Sequence, residues 1–259
     1  MSARPAPAAG VVFVRDAPDF QALMLERAAH MRFAAGALAF PGGRIAPSDG
    51  DPAWREMALG LPAAEGVATA AVAALRETFE ETGVLNAVDA DARPPTANRL
   101  AFMAARRASI AADADRFSRS LAEAGLRLDA RGLRPFARWV GPPGAARRFD
   151  ALFFIAPAPV YQAPSPDGVE TAQALWIAPA TAAADAISGR RRIIHPTLCK
   201  LQLLALSETS ASAIDAAARR PVRPIEAWTE RRDGVDYVCI PDDLGYPTTA
   251  APVDDAARS

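Results

Sequence analysis

The stretch Arg76-Glu77-Thr78-Phe79-Glu80-Glu81-Thr82-Gly83-Val84-Leu85 constrains this 259-residue chain more than any other. At about 100° per residue, Glu77, Glu80 and Glu81 share a helical arc of roughly 100°. Ala68, Val72, Leu75 and Phe79 fall on the opposite side. That spacing predicts a helix from about Ala64 to Thr82, with the apolar side in a core and Gly83 at its C-cap. Like charges three or four residues apart repel by about 0.2–0.5 kcal/mol per pair. Either the acids form a solvated face, or a hard divalent cation, which takes carboxylate oxygens, relieves the repulsion. This stretch alone leaves both open.

Its surroundings decide between them. About thirty residues upstream, Phe40-Pro41-Gly42-Gly43 follows the apolar run Ala37-Leu38-Ala39. Proline fixes its own φ and glycine permits conformations closed to other residues, so this reads as a rigid strand-to-loop corner. Corner and acidic helix together resemble the Nudix box, G-x5-E-x7-REUxEExGU with U aliphatic, of the Nudix hydrolases. The matching residues are Gly43, Arg76, Glu77, Glu80, Glu81, Gly83 and Val84, with Thr78 in place of an aliphatic residue. Gly43 and Arg76 lie 33 positions apart where the box has 14, so 19 residues are inserted. Counted back from Arg76, the box glutamate is replaced by Ala68, which leaves Glu65 or Glu56 as its substitute. A Nudix subgroup resembling a peroxisomal coenzyme A diphosphatase carries a similar insert before an REAFEEAGVL-like helix.

A second pattern bears on substrate. Nudix coenzyme A diphosphatases carry LLTxR(S/A)x3Rx3Gx3FPGG before the box, and Leu23-Met24-Leu25-Glu26-Arg27-Ala28, Arg32, Gly36 and Phe40-Pro41-Gly42-Gly43 match it except at Met24 and Leu25. Coenzyme A bears a diphosphate and a 3′-phosphate, and arginine's planar fork suits phosphate oxygens. Alternatively, Arg27 and Arg32 are surface charges beside a plain hairpin, with strands at Val11–Val14 and Ala22–Leu25.

The resemblance implies an α/β/α sandwich with a mixed central sheet, a helical insertion and a C-terminal helix. It implies metal-dependent hydrolysis of a diphosphate linkage in coenzyme A or acyl-CoA, giving 3′,5′-ADP and (acyl-)4′-phosphopantetheine. Another nucleoside diphosphate derivative (ADP-ribose, a dinucleotide, a nucleotide sugar) is the alternative substrate, and a non-catalytic ligand-binding regulator the alternative class. Glu77, Glu80 and Glu81 are the implied Mg²⁺ or Mn²⁺ ligands. Glu170, in the loop before Trp176, stands where many members carry a further catalytic or metal-binding glutamate; as general base its competitor is Glu77. Arg27, Arg32, Gly36, Phe40, Gly42 and Gly43 are the implied substrate contacts, and Arg76 and Gly83 orient the box.

With 51% apolar residues and a net charge of −1, the composition fits a globular chain and not a general nucleic-acid binder. The cations comprise 28 arginines and one lysine, Lys200. Alongside abundant alanine and proline this fits a GC-rich bacterial genome, so single arginines carry meaning only inside a motif. No run reaches the ~20 apolar residues of a membrane span. Cys199 and Cys239 provide neither a disulfide framework nor metal-ligand spacing. The expectation is a cytoplasmic bacterial protein with a small-molecule diphosphate substrate, and a homodimer stays open.

Along the chain, residues 1–9 read as a loose Pro/Ala leader, 10–246 as one domain with a box insert at 44–62, and 247–259 as a tail. Val84-Leu85 is an expected strand. Residues 97–124 read as two helices, which cover the cleft, form a dimer contact or pack on the sheet; packing on the sheet is the expectation. Strands are expected at Phe136–Val140, joined through Pro142-Pro143-Gly144 to Phe149–Ile155, and at Ala174–Ile177 and Tyr237–Ile240. One long helix is expected from His195 to about Arg219, with His195 in a structural role.

Overall fold

Seven consecutive residues, Ala8–Val14, are buried within strand β1 (Ala6–Asp16). A strand covered on one face alternates; one covered on both does not, so β1 lies inside a two-sided sheet. The computed structural model describes residues 4–31, 34–141 and 148–253. In chain order, β1 is followed by β2 (Phe20–Arg27), β3 (Leu38–Ala39), β4 (Gly42–Arg44), α1 (Trp54–Met57), β5 (Ala58–Leu59) and the long helix α2 (Glu65–Thr82). Next come β6 (Ala87–Val88), α3 (Ala97–Ala104), α4 (Arg107–Ala112), α5 (Asp115–Glu123), β7 (Arg127–Asp129), β8 (Arg134–Val140), β9 (Phe149–Pro157) and β10 (Thr171–Ile177). The remainder is α6 (Pro179–Ile187), α7 (His195–Leu204), α8 (Ser210–Arg219), β11 (Pro224–Glu226), β12 (Trp228–Arg232), β13 (Val235–Cys239) and β14 (Ala250–Pro252).

The main sheet runs β10-β2-β1-β9-β8-β11, with β3 beside β2 and β4 beside β1. It is mixed: β1 runs parallel to β9 and antiparallel to β2 and β4. Ala9, Val11 and Phe13 face a core shared with α2 and the helices α3–α5. Val12 and Val14 face a second core with α6–α8. The result is the expected α/β/α sandwich with a helical insertion. Because β4 pairs with Ala8–Gly10 and α2 packs on the same strands, the glycine corner and the acidic helix are held to one end of β1.

Several expectations are corrected. The segment 1–9 is no loose leader throughout: Ala6–Ala9 pair in register with Phe149–Leu152, and Pro7, which has no N–H to donate, still takes part through its carbonyl, which accepts from Ile45 N at 3.1 Å. Val84-Leu85 is buried but not a strand; the Gln162 side chain takes both backbone groups of Leu85, at 2.8 and 2.9 Å. The expected tail contributes β14, paired with β13. Residues 97–124 form three helices, and they reach the sheet's core largely through α2 and α1: Phe117 lies 5.9 Å from Phe79 and 6.0 Å from Trp54, centroid to centroid. The helix expected over 195–219 is two, because Thr209 starts a new one with a capping box to Ser212. The turn at Pro142-Pro143-Gly144 lies outside the described residues.

Phe117 is fully buried and joins insert, insertion helices and acidic helix. Phe117→Ala should cost about 3–5 kcal/mol in urea unfolding; a loss below about 1 kcal/mol would show that this aromatic cluster does not hold the insertion down.

Candidate active site

Helix α2 is amphipathic on paper and buried on nearly every side in fact. Even Thr78 and Thr82 are fully buried, and each hydroxyl donates to the carbonyl four residues back, at 2.7 and 2.6 Å. Its acids therefore do not form a solvated face: Glu80 and Glu81 are buried and Glu77 is half-buried. The three line a cleft of about 680 Å³ with Gly42, Gly43, Arg27, Phe149, Phe153 and, from the loop before β10, Glu170.

Close backbone approach explains the corner's glycines. The Gly42 N–H donates to Glu81 Oε2 at 2.8 Å. A Cβ on Gly43 would collide with the Glu77 carboxylate, and one on Gly42 (φ +154°) with the Ala9 carbonyl. Glycine thus lets the loop lie directly against the acids.

Arg76 is buried beneath them. Its Nε and Nη2 donate to the two oxygens of Asp49 at 2.8 and 2.9 Å, and Nη2 also donates to the Arg44 carbonyl at 3.0 Å. Nη1 lies 2.9 Å from both Glu77 Oε1 and Glu80 Oε1. Burial alone would weaken this guanidinium's hold on its proton, but the Asp49 hydrogen bond and the charges of Glu77, Asp49 and Glu80 outweigh it and raise its pKa.

The acids are strained in the opposite sense. Burial pushes Glu77 up to about 7 against the pull of Arg76. Burial also raises Glu80, and raises Glu81 well above the ordinary carboxylate range despite the Gly42 hydrogen bond. Among the described residues the protein holds Glu81 Oε2, Glu77 Oε1 and Glu80 Oε1, one oxygen of each carboxylate. Oxygen-only donors with surplus negative charge, open to a cleft, fit a hard divalent cation. Among the described residues no group of three or more Asp, Glu, His or Cys side chains is placed to hold a metal ion by itself. Magnesium, which keeps waters and takes substrate phosphates, suits an open ridge of this kind.

The comparisons agree with this geometry. A family model described as the NUDT19 Nudix domain matches residues 57–204, more than half of the chain. The solved Nudix hydrolase from Alicyclobacillus acidocaldarius is 30% identical, with a TM-score of 0.69, over 84% of this chain and 99% of its own. The chain belongs to the Nudix hydrolase family. A MutT Nudix hydrolase from Burkholderia pseudomallei (15% identical, TM-score 0.42, 77% of this chain and 97% of its own) is far more distant. So is an Ap4A hydrolase from C. elegans (14%, 0.40, 82% and 98%), and neither decides anything here. As a Nudix hydrolase the protein cleaves a diphosphate linkage in a small molecule, and the family generally uses divalent metal ions.

The Nudix box itself needs one correction. Glu56 and Glu65 are exposed and do not pair with Arg76. The partner is Asp49, six positions after Gly43, where the box acid stands when counted from the glycine. The extra residues therefore follow the acid, and Ala68 is simply a buried helix residue. The signal was present in Gly43-x5-Asp49; counting back from Arg76 hid it.

The coenzyme-A-like pattern is divided by the structure. Arg27 lines the cleft and its charge acts on Glu81. Arg32 lies outside the described residues. Gly36 (φ +68°) instead borders a separate pocket with Arg190, Arg191 and Arg192. Phe40 is buried in the second core, edge-on to Phe153 at 6.5 Å, and does not line the cleft. Gly83 (φ +69°) ends α2 as expected. His195 is buried on α7, with Nε2 3.5 Å from Cys199 Sγ.

Sequence reasoning passed over Lys200. Its ammonium sits 3.5 Å from the centroid of cleft-lining Phe153, 5.8 Å from Phe40 and 5.9 Å from Trp139. Burial pushes its pKa down to about 7.

Two predictions follow from these buried charges. Asp49→Asn should destabilise the protein by about 3–5 kcal/mol in urea, because it leaves Arg76 buried and underpaired, while Glu56→Gln and Glu65→Gln should leave the unfolding midpoint in place. The unfolded lysine titrates near 10.5, so between pH 7 and 10.5 the unfolded chain binds the extra proton. Wild-type stability relative to Lys200→Met should thus be lowest below pH 7 and climb with pH, by up to about 1.4 kcal/mol per unit; a flat difference would refute a depressed Lys200.

Proposed function

We propose that this Nudix hydrolase cleaves the internal diphosphate of coenzyme A or acyl-CoA, giving 3′,5′-ADP and (acyl-)4′-phosphopantetheine, as a cytoplasmic enzyme using Mg²⁺ or Mn²⁺. The observation that carries the reading is the gathering of Glu77, Glu80, Glu81 and Glu170 in one cleft with Arg27 and the glycine corner. Support for coenzyme A comes from the pattern at Leu23–Gly43, of which Arg27, Gly42 and Gly43 meet the cleft.

In this reading Glu77, Glu80 and Glu81 hold the cation through the oxygens that Arg76 and Gly42 leave free. A divalent ion held there would offset diphosphate charge and acidify a bound water. Gly42 holds one Glu81 oxygen and so fixes the orientation of that carboxylate. Arg76, anchored by Asp49, orients Glu77 and Glu80 and is itself too buried to touch substrate. Arg27 draws the phosphates in and offsets their charge. Glu170, exposed at the cleft wall, takes the proton of the attacking water; Glu77 is the other candidate for that role.

Another nucleoside diphosphate derivative is the second reading, favoured by Gly36 and Phe40 standing off the cleft. A catalytically silent ligand-binding regulator would have no use for buried carboxylates of raised proton affinity.

An Mg²⁺-dependent panel of coenzyme A, acetyl-CoA, ADP-ribose and NADH, read by product mass, tests this. Coenzyme A turnover should fall by roughly 100-fold or more in Glu81→Gln and in Glu170→Gln. Full activity of Glu81→Gln, or without divalent metal, rejects the mechanism; ADP-ribose turnover with none on coenzyme A rejects the substrate and leaves the mechanism.

A further inference from the structure

The last turn of α2 carries Glu80 and Glu81, and helix ends leave carbonyls unsatisfied. Here the chain's own sequence closes only part of that end. Phe79 O accepts from Gly83 N at 2.8 Å, but Thr82 O accepts from Ser165 N at 2.8 Å and Glu80 O from Arg107 Nε at 2.8 Å. Arg107 comes from the helical insertion. Its Nη1 also reaches Ser165 Oγ at 3.2 Å and the Pro166 carbonyl at 3.4 Å. One residue on, Asp167 Oδ1 accepts from the backbone N–H groups of Val169, Glu170 and Thr171 at 2.8–3.0 Å. The Glu170 carbonyl in turn accepts from Ala28 N, next to Arg27.

We infer that Arg107 is a positioning residue for hydrolysis: it clamps the carboxylate-bearing end of the Nudix helix to the segment that presents Glu170 to the same cleft. A guanidinium at a helix C-terminus also opposes the helix dipole where two carboxylates sit. Packing alone does not explain this residue. Its Nη2 is buried without a hydrogen-bond partner among the described residues, and its charge acts on both Asp167 and Glu81. No apolar side chain would reproduce the three contacts, since they need donors fanned in one plane. The inference rests on Glu170 being a working carboxylate and not on which diphosphate is cleaved.

Arg107→Met, Arg107→Lys and Ser165→Ala in the full chain with Mg²⁺ test it, on coenzyme A and ADP-ribose, with hydrogen exchange read at residues 79–85 and 162–171. In Arg107→Met, exchange in both segments should rise about tenfold or more, and kcat should fall about tenfold or more with KM changed less than about threefold. Arg107→Lys should recover part of kcat, and Ser165→Ala should move both readouts the same way by less. Unchanged kcat overturns the inference. So does a loss that tracks a lower melting temperature with exchange raised evenly through the chain. Absence of coenzyme A turnover removes the substrate reading alone, whereas unchanged exchange at 162–171 removes this one.

Discussion

The burial of Arg76 is the constraint on which the rest of the site depends. A guanidinium taken out of water costs several kcal/mol unless its donors are matched. Here a planar fork meets a planar carboxylate at Asp49 on two bonds, and the remaining donors meet Glu77, Glu80 and the Arg44 carbonyl. These partners come from the turn after the glycine corner, from β4 and from α2. One side chain therefore sets the spacing between loop and helix, and that spacing lets Gly42 reach Glu81.

The same burial gives the carboxylates their character. An acidic face in water would ionise freely and bind cations weakly. Sunk between β1, β4 and the insertion helices, Glu77 and Glu81 are pushed toward their protonated forms by desolvation first, with the charge of Glu80 adding to it at Glu77 and that of Glu77 at Glu81. A dication placed at the cleft would offset a penalty already built into the fold. Thr78 shows how the helix tolerates a polar residue in an apolar position: its hydroxyl bonds back to the Ala74 carbonyl and leaves no buried group unpaired.

Much of this was legible in residue order because it rests on periodicity and on backbone permission. The α2 boundaries, the apolar stripe through Phe79, the Gly83 cap and the strands at 11–14, 22–25 and 136–140 are local properties. What was misread depends on where an insertion falls or on which surface an element meets. Asp49 was missed because counting back from Arg76 assumes that the extra residues precede the acid. The break between α7 and α8 was readable at Thr209, where a hydroxyl capping residue restarts a helix. The insertion helices were expected on the sheet, yet Phe117 chose the aromatic pair of Phe79 and Trp54, a match of ring faces that no one-dimensional pattern encodes.

By residue order alone, the protein was committed to an acidic helix stopped by glycine, a Pro-Gly-Gly corner upstream and short apolar strands around them, because dihedral limits and side-chain periods act over a few residues. Only the tertiary structure decided that Asp49 holds Arg76, that Arg107 and Ser165 close the helix end, and that Glu170 and Arg27 share a cleft with the three acids while Gly36 and Phe40 do not. Those outcomes turn on which groups lose water together, and desolvation is a property of the assembled chain.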